Sequence, residues 1–165
     1  MARVSVLMSC YGTRRWLWEA LDSLPWDMPG LEVWVTANGD APQDVAAVAL
    51  AERTHPIRAI YRDVTLPLSG SLNVMLARAA GDYVMRLDCD DNLLMDTRLA
   101  REIGGWEEIG YEDWHLYAKL ARHPHAHAVM LDRPVLLHRV RPNSRYAQMV
   151  VDNDAHIAAI REALL

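Results

Sequence analysis

Residues 68–91 read LSGSLNVMLARAAGDYVMRLDCDD. Leu72, Met75, Leu76 and Ala79 recur three and four residues apart, so a helix over 68–80 presents one apolar face. Gly81 is its expected stop. Residues 83–87 (YVMRL) form a short run with the character of a buried strand, and they lead straight into Asp88-Cys89-Asp90-Asp91. Helix, strand and acidic turn in succession are the closing half of a parallel βαβ unit.

The same alternation extends upstream. Residues 4–8 (VSVLM) predict a strand, and 13–24 predict a helix with Trp16, Leu17, Ala20, Leu21 and Leu24 on one side, Thr13 as cap and Pro25 as stop. Residues 31–36 (LEVWVT) predict a second strand, 37–40 a turn, 42–53 a helix with proline in its first turn, and 57–61 a third strand. The βαβαβαβ order predicts an α/β fold: a mostly parallel, Rossmann-like sheet flanked by helices, in a single domain. Ligands of such sheets bind beyond the carboxyl ends of the strands. The loops at 9–12, 37–40 and 88–91 therefore gather at one edge. Downstream, 103–106 predict a loop, 111–122 a helix, 129–131 and 135–138 short strands, and 148–165 a final helix.

The chain has 165 residues, 52% hydrophobic and 24% charged, which suits one globular domain. A net charge of -5 gives no reason to bind nucleic acid or an anionic membrane. Cys10 and Cys89 make no CxxC pair and no zinc spacing, and free thiols in a reducing compartment are the expectation. No stretch approaches the roughly 18 apolar residues of a membrane span, and the opening apolar run is too short for a signal peptide. A cytoplasmic protein is expected.

Asp88 and Asp90 lie two apart, so in extended chain they share a face. Close carboxylates repel unless a cation or proton sits between them. Mg²⁺ or Mn²⁺ suits such a pair, taking its other ligands from water and phosphate oxygens; a solvated acidic turn is the bland alternative. Glu112 and Asp113 open a helix, where they either complement its dipole or supply a general base. Asn38 and Asp40 either build a turn or touch a nucleobase or ribose. Asn73 interrupts an apolar helix face as a solvated position or a ligand contact. Arg139, Arg141 and Arg145 make either an exposed basic loop or a phosphate grip. His123, His125 and His127 alternate, but Pro124 interrupts them and no fourth metal ligand is apparent. Trp106 and Trp114 flank the candidate base, where they could stack on a sugar. Cys89, among carboxylates, is a poor thiolate.

Six segments in order resemble the GT-A glycosyltransferases of the large, mostly inverting family 2. VSVLMSCYG resembles the opening strand and nucleotide loop, WLWEALDSL the first helix, and LEVWVTANGD the strand with its acidic turn. LSGSLNVMLARAAGDYVMRLDCDD resembles the donor helix, strand and DxD motif; GGWEEIGYEDWHLYAKL the stretch with the catalytic base; LLHRVRPNS the loop that closes on the diphosphate. The resemblance implies that Asp90 ligates Mn²⁺ or Mg²⁺, with Asp88 on the ribose or metal, and that Asp113 is the base. It places Ser9, Tyr11 and Asn38 near the nucleotide, Asn73 near ribose or phosphates, and Arg139 or Arg141 at the diphosphate. Three departures stand out. Ala37 replaces the usual aspartate, Arg141 stands where a histidine is common, and only 92–103 fill a segment that is normally much longer.

The implied reaction is inverting, metal-dependent transfer of a sugar from a nucleoside-diphosphate-sugar to a hydroxyl of a glycan or protein. Residues 1–91 would be the nucleotide-sugar half and 104–165 a reduced acceptor half. A nucleotidyltransferase, with Arg14-Arg15 at the triphosphate, and a degenerate sugar-nucleotide binder are the rival readings. The short 92–103 connection leaves the acceptor side to be covered either by a macromolecular acceptor's own surface or by a second subunit; the second is favoured, as a homodimer with Leu93, Leu94, Met95 and Trp106 at or near its contact.

Overall fold

A computed structural model describes residues 1–12, 14–87, 94–109 and 112–128. Asp88, Cys89, Asp90, Asp91, Leu93, Arg139, Arg141, the Thr13 cap and the elements expected beyond residue 128 lie outside the described residues.

The elements run β1 (Val4–Cys10), α1 (Arg14–Asp22), β2 (Leu31–Asn38), α2 (Pro42–Thr54), β3 (Ile57–Arg62), α3 (Leu68–Leu76), β4 (Tyr83–Arg86), β5 (Leu94–Asp96), α4 (Thr97–Glu102) and α5 (Glu112–Arg122). The sheet order is β3-β2-β1-β4-β5. β1, β2, β3 and β4 pair in parallel, and β5 closes the edge antiparallel to β4. The expected mostly parallel α/β sheet is what the chain forms.

Period-two alternation divides the core between the two faces of this sheet. Val6, Met8 and Cys10 of β1 join Val33, Val35 and Ala37 of β2 against Leu17, Leu21 and Val48 of α1 and α2. Leu7 of β1 and Val84 of β4 face the other way, onto Leu72, Met75 and Leu76 of α3, with Met95, Trp106 and Leu116. The middle strands are thus covered on both sides, which is why they read as apolar runs.

Several boundaries differ from the sequence expectation. β1 runs through Cys10 and β2 through Asn38, so Ser9, Ala37 and Asn38 are strand residues and the turn is Gly39-Asp40. Parallel pairing continues to Cys10↔Ala37 and extends these strands past their apolar cores. α3 ends at Leu76, before Gly81. Gly81 has a different duty: a Cβ there would lie 2.6 Å from Ser5 Oγ and 2.7 Å from its amide nitrogen. The connection after the acidic turn is not plain loop, since it holds β5 and α4. Asp96 caps α4 by accepting from Leu99 N–H at 2.8 Å. Residues 123–127 form turns and no strand; the His123 and His125 rings instead pack 5.7 Å apart.

Candidate active site

Ser9, Thr36, Asn38 and Arg86 stand near the carboxyl ends of parallel strands, on the α3 side of the sheet. Hydroxyls line the middle of this edge. Ser9 Oγ donates to Ser71 Oγ at 3.0 Å, and the Ser71 and Thr36 hydroxyls lie 2.6 Å apart, buried under α3. Asn38 is buried beside them. Its Nδ2 donates to the Leu66 carbonyl at 2.8 Å, and its Oδ1 accepts from Leu66 N–H at 2.9 Å. Both ends of the amide are thus engaged by the loop that leads into α3. The residue expected at the nucleobase thus holds the backbone of Leu66.

The β1–α1 loop is held from α2. Gly12 N–H donates to Asp44 Oδ2 at 2.7 Å, and Gly12 takes φ 64, a left-handed conformation that suits glycine. Asp44 is a buried acid in the first turn of α2, where the helix dipole favours it. Tyr11 projects from this tethered loop, 58% exposed. Sequence reading passed over Asp44, although an acid just after a helix-opening proline was a visible signal.

The charged part of the site begins at the end of β4. Arg86, only 8% exposed, pairs with Glu112 Oε1 at 3.3 Å and with Asp113 Oδ1 in a closer ion pair. One guanidinium therefore serves two acids from the first turn of α5. Arginine keeps its charge at any working pH and offers several donors in a fixed fork. Sequence reading missed Arg86, yet a charged residue inside YVMRL had to find a partner, because buried charge is otherwise prohibitive.

Asp113 has a second donor, the Trp106 indole N–H, at 3.3 Å from Oδ1. Trp106 is 2% exposed and belongs to the core. It is therefore neither a surface ring for a sugar nor a residue at a subunit contact, as the sequence had led us to expect. Met95 is buried as well, while Leu94 is exposed. Trp114, 61% exposed, is the tryptophan beside Asp113 that faces outward. Asn73, half-buried, holds backbone: its Nδ2 donates to the Trp106 carbonyl at 2.7 Å and its Oδ1 accepts from Trp106 N–H at 3.0 Å. Just beyond, Lys119 Nζ donates to Glu107 Oε1 at 2.8 Å, which holds the Glu107 carboxyl below the usual glutamate range and ties this stretch to α5. Among the described residues no three histidine, cysteine, aspartate or glutamate side chains converge as a metal site.

The sequence model of Glycosyl transferase family 2 matches residues 5–130, most of the chain. The chain belongs to that family. A relative, "Putative glycosyltransferase EpsE" of Bacillus subtilis (strain 168), is 30% identical over 112 residues, covering 64% of this chain and 39% of EpsE. This family 2 chain thus spans about two fifths of that relative's length. The solved structure of the mannosyltransferase PcManGT from Pyrobaculum calidifontis, in complex with GDP-Man and Mn²⁺, superposes with a TM-score of 0.76 at 17% identity, over 97% of this chain and 64% of that one. S. aureus TarS superposes with a TM-score of 0.69 at 15% identity, over 90% of this chain and 38% of TarS. At these identities the likeness is one of fold, and the fold is GT-A-like. No described helix is long and apolar enough to cross a membrane.

Proposed function

We propose that this family 2 chain transfers a sugar from a nucleoside-diphosphate-sugar to a hydroxyl acceptor, with inversion, and that Asp113 is the base. The observation that carries the proposal is the setting of Asp113. It stands in the first turn of α5, and a guanidinium and an indole N–H both reach its Oδ1. An acid so oriented can accept the hydroxyl proton as the oxygen attacks the anomeric carbon. Arg86 holds the base to the end of β4, the strand that leads in sequence to Asp88 and Asp90.

Asp88 and Asp90 offer hard carboxylate oxygens, a donor set that fits Mn²⁺ or Mg²⁺. That cation, when bound, supplies positive charge to the leaving diphosphate. The complex of PcManGT with GDP-Man and Mn²⁺ supports this choice. Tyr11 and Ser9 lie toward the nucleotide, and Arg139 and Arg141 assist at the diphosphate. Asn38 and Asn73 act through the backbone they hold. Residues 1–91 serve the donor and 104–165 the acceptor. A second copy covers the acceptor side, with exposed Leu94 on edge strand β5 at the contact.

The test is a panel of nucleoside-diphosphate-sugars read by thermal shift and by transfer, with and without Mn²⁺. A donor at about 100 Kd stabilises by roughly 2.7 kcal/mol. We expect one donor class to stabilise the protein only with the cation, and Asp90→Ala to abolish that shift without loss of fold. Binding without turnover would make the chain a sugar-nucleotide binder. Donor affinity untouched by Asp90→Ala or by chelator would remove the metal from the proposal.

A further inference from the structure

We infer that Trp106 is a positioning residue for the base, and that its buried indole N–H, set in place by Asn73, fixes how the Asp113 carboxylate is presented. This rests on the reading of Asp113 as the base.

The chain is built to put one atom in one place. Gly104 and Gly105 take φ 84 and 66, left-handed values that L side chains rarely adopt, and they turn the backbone sharply after α4. A Cβ on Gly105 would collide with the Asn73 side-chain oxygen. Asn73 occupies that space because its amide grips both the N–H and the carbonyl of Trp106. The tryptophan backbone is thus fixed from α3 by two hydrogen bonds, and its ring is fixed by the core around Leu72, Met75 and Leu116.

An aromatic chosen only for volume would bring no polar atom to this depth, since a buried N–H must be satisfied. Here the N–H is satisfied by the carboxylate beside Arg86. Both donors reach the same oxygen, Oδ1, from different elements: Arg86 from β4, Trp106 from the turn after α4. Two directions of approach set the plane of the carboxyl, which one ion pair alone leaves free to swivel. A base displaced by a fraction of an ångström loses rate while substrate binding is preserved.

The experiment is a double-mutant cycle on purified protein, reading kcat and donor KM. Trp106→Phe keeps a ring in the core and the backbone clamp, and removes the N–H. We expect kcat to fall about tenfold with donor KM unchanged within twofold. In an Asp113→Asn background, where transfer is already lost by about 10², Trp106→Phe should cost nothing more. Full transfer in Asp113→Asn alone would refute the base reading, and the inference with it. If Asp113→Asn loses transfer while Trp106→Phe keeps its full kcat, or slows both backgrounds equally, the positioning role is overturned and the base reading survives. Should Trp106→Phe melt early, benzothienylalanine at position 106 repeats the test with the indole shape kept and the N–H replaced by sulfur. A wild-type kcat in that protein overturns the inference, and a tenfold loss supports it.

Discussion

Two asparagines perform the same act at two places on the sheet edge. Asn38, at the end of β2, grips the N–H and carbonyl of Leu66; Asn73, in α3, grips those of Trp106. Each clamp stands against a glycine at positive φ: Gly39 beside Asn38, Gly105 beside Trp106. The surroundings differ. The first clamp borders a neutral shelf of Ser9, Ser71 and Thr36 hydroxyls. The second holds a residue that touches a buried cluster of Arg86, Glu112 and Asp113. Only at the second does the failure of the clamp reach the charges of Arg86, Glu112 and Asp113.

The widest gap between the two regions should appear in stability. Arg86→Met leaves Glu112 and Asp113 without this cation, and breaking a buried pair in this way costs about 3–5 kcal/mol. Thr36→Val removes one buried hydroxyl bond from the neutral shelf and should cost about 1 kcal/mol. Chemical denaturation reads both. Equal midpoints for the two variants would mean that the charged cluster is no more demanding than the hydroxyl shelf.

Transfer should divide the regions next. Asp113→Asn is expected to lose transfer by about 10² while donor binding persists, whereas Thr36→Val keeps its kcat. The two clamps then give the direct test. Asn38→Ala and Asn73→Ala each strip the partner from one buried N–H and one carbonyl, and each should destabilise by about 1–3 kcal/mol. Asn73→Ala should also slow transfer about tenfold, because Trp106 and through it Asp113 lose their reference point. An equal slowing by Asn38→Ala would show that the neutral clamp also shapes a catalytic surface.

How much of this was legible in sequence follows from the range over which each feature is determined. β1 to β4 and the helices between them were readable because hydrophobic periodicity is local. β5 and α4 were not, since a three-residue strand and a six-residue helix are shorter than the window in which a period is visible. Asn38 and Asn73 stood out as polar interruptions, but their partners lie 28 and 33 residues away, and nothing near either asparagine names them. Hence Asn38 read as a turn former or nucleotide contact, and Asn73 as a solvated position or ligand contact. Asp113 was legible from the GYEDW segment, while Arg86, which holds it, was visible only as a misfit in its strand. Trp106 read as a surface ring because its neighbours Gly104-Gly105 and Glu107-Glu108 are those of a loop; its burial comes from α3 and α5.

The smallest expected effect lies at the opposite edge of the sheet and serves as a control for the comparison. Glu32, near the start of β2, has a side chain only 13% exposed. Burial works against its charge, yet the Ser5 hydroxyl, the Ala80 N–H and Arg58 together hold its carboxyl below the usual glutamate value of 4.5. The Ser5 and Ala80 bonds are each 2.5 Å, and they tie β1 and β2 to the turn that leads into β4. Because the folded value lies below the unfolded one, this stabilisation is complete above the usual glutamate range and fades as pH falls through the folded value. Glu32→Gln should therefore cost about 1–2 kcal/mol at neutral pH, and the gap to wild type should narrow steadily below about pH 4. Transfer measured at neutral pH and well below the melting temperature should not change, since among the described residues no hydrogen bond of this cluster reaches the edge that holds Asp113. A gap that stays constant down to pH 3 would show that Glu32 acts through its shape alone. A loss of transfer would show that the two edges of the sheet are coupled, and the contrast between the two clamps would then owe less to local charge than to the sheet that joins them.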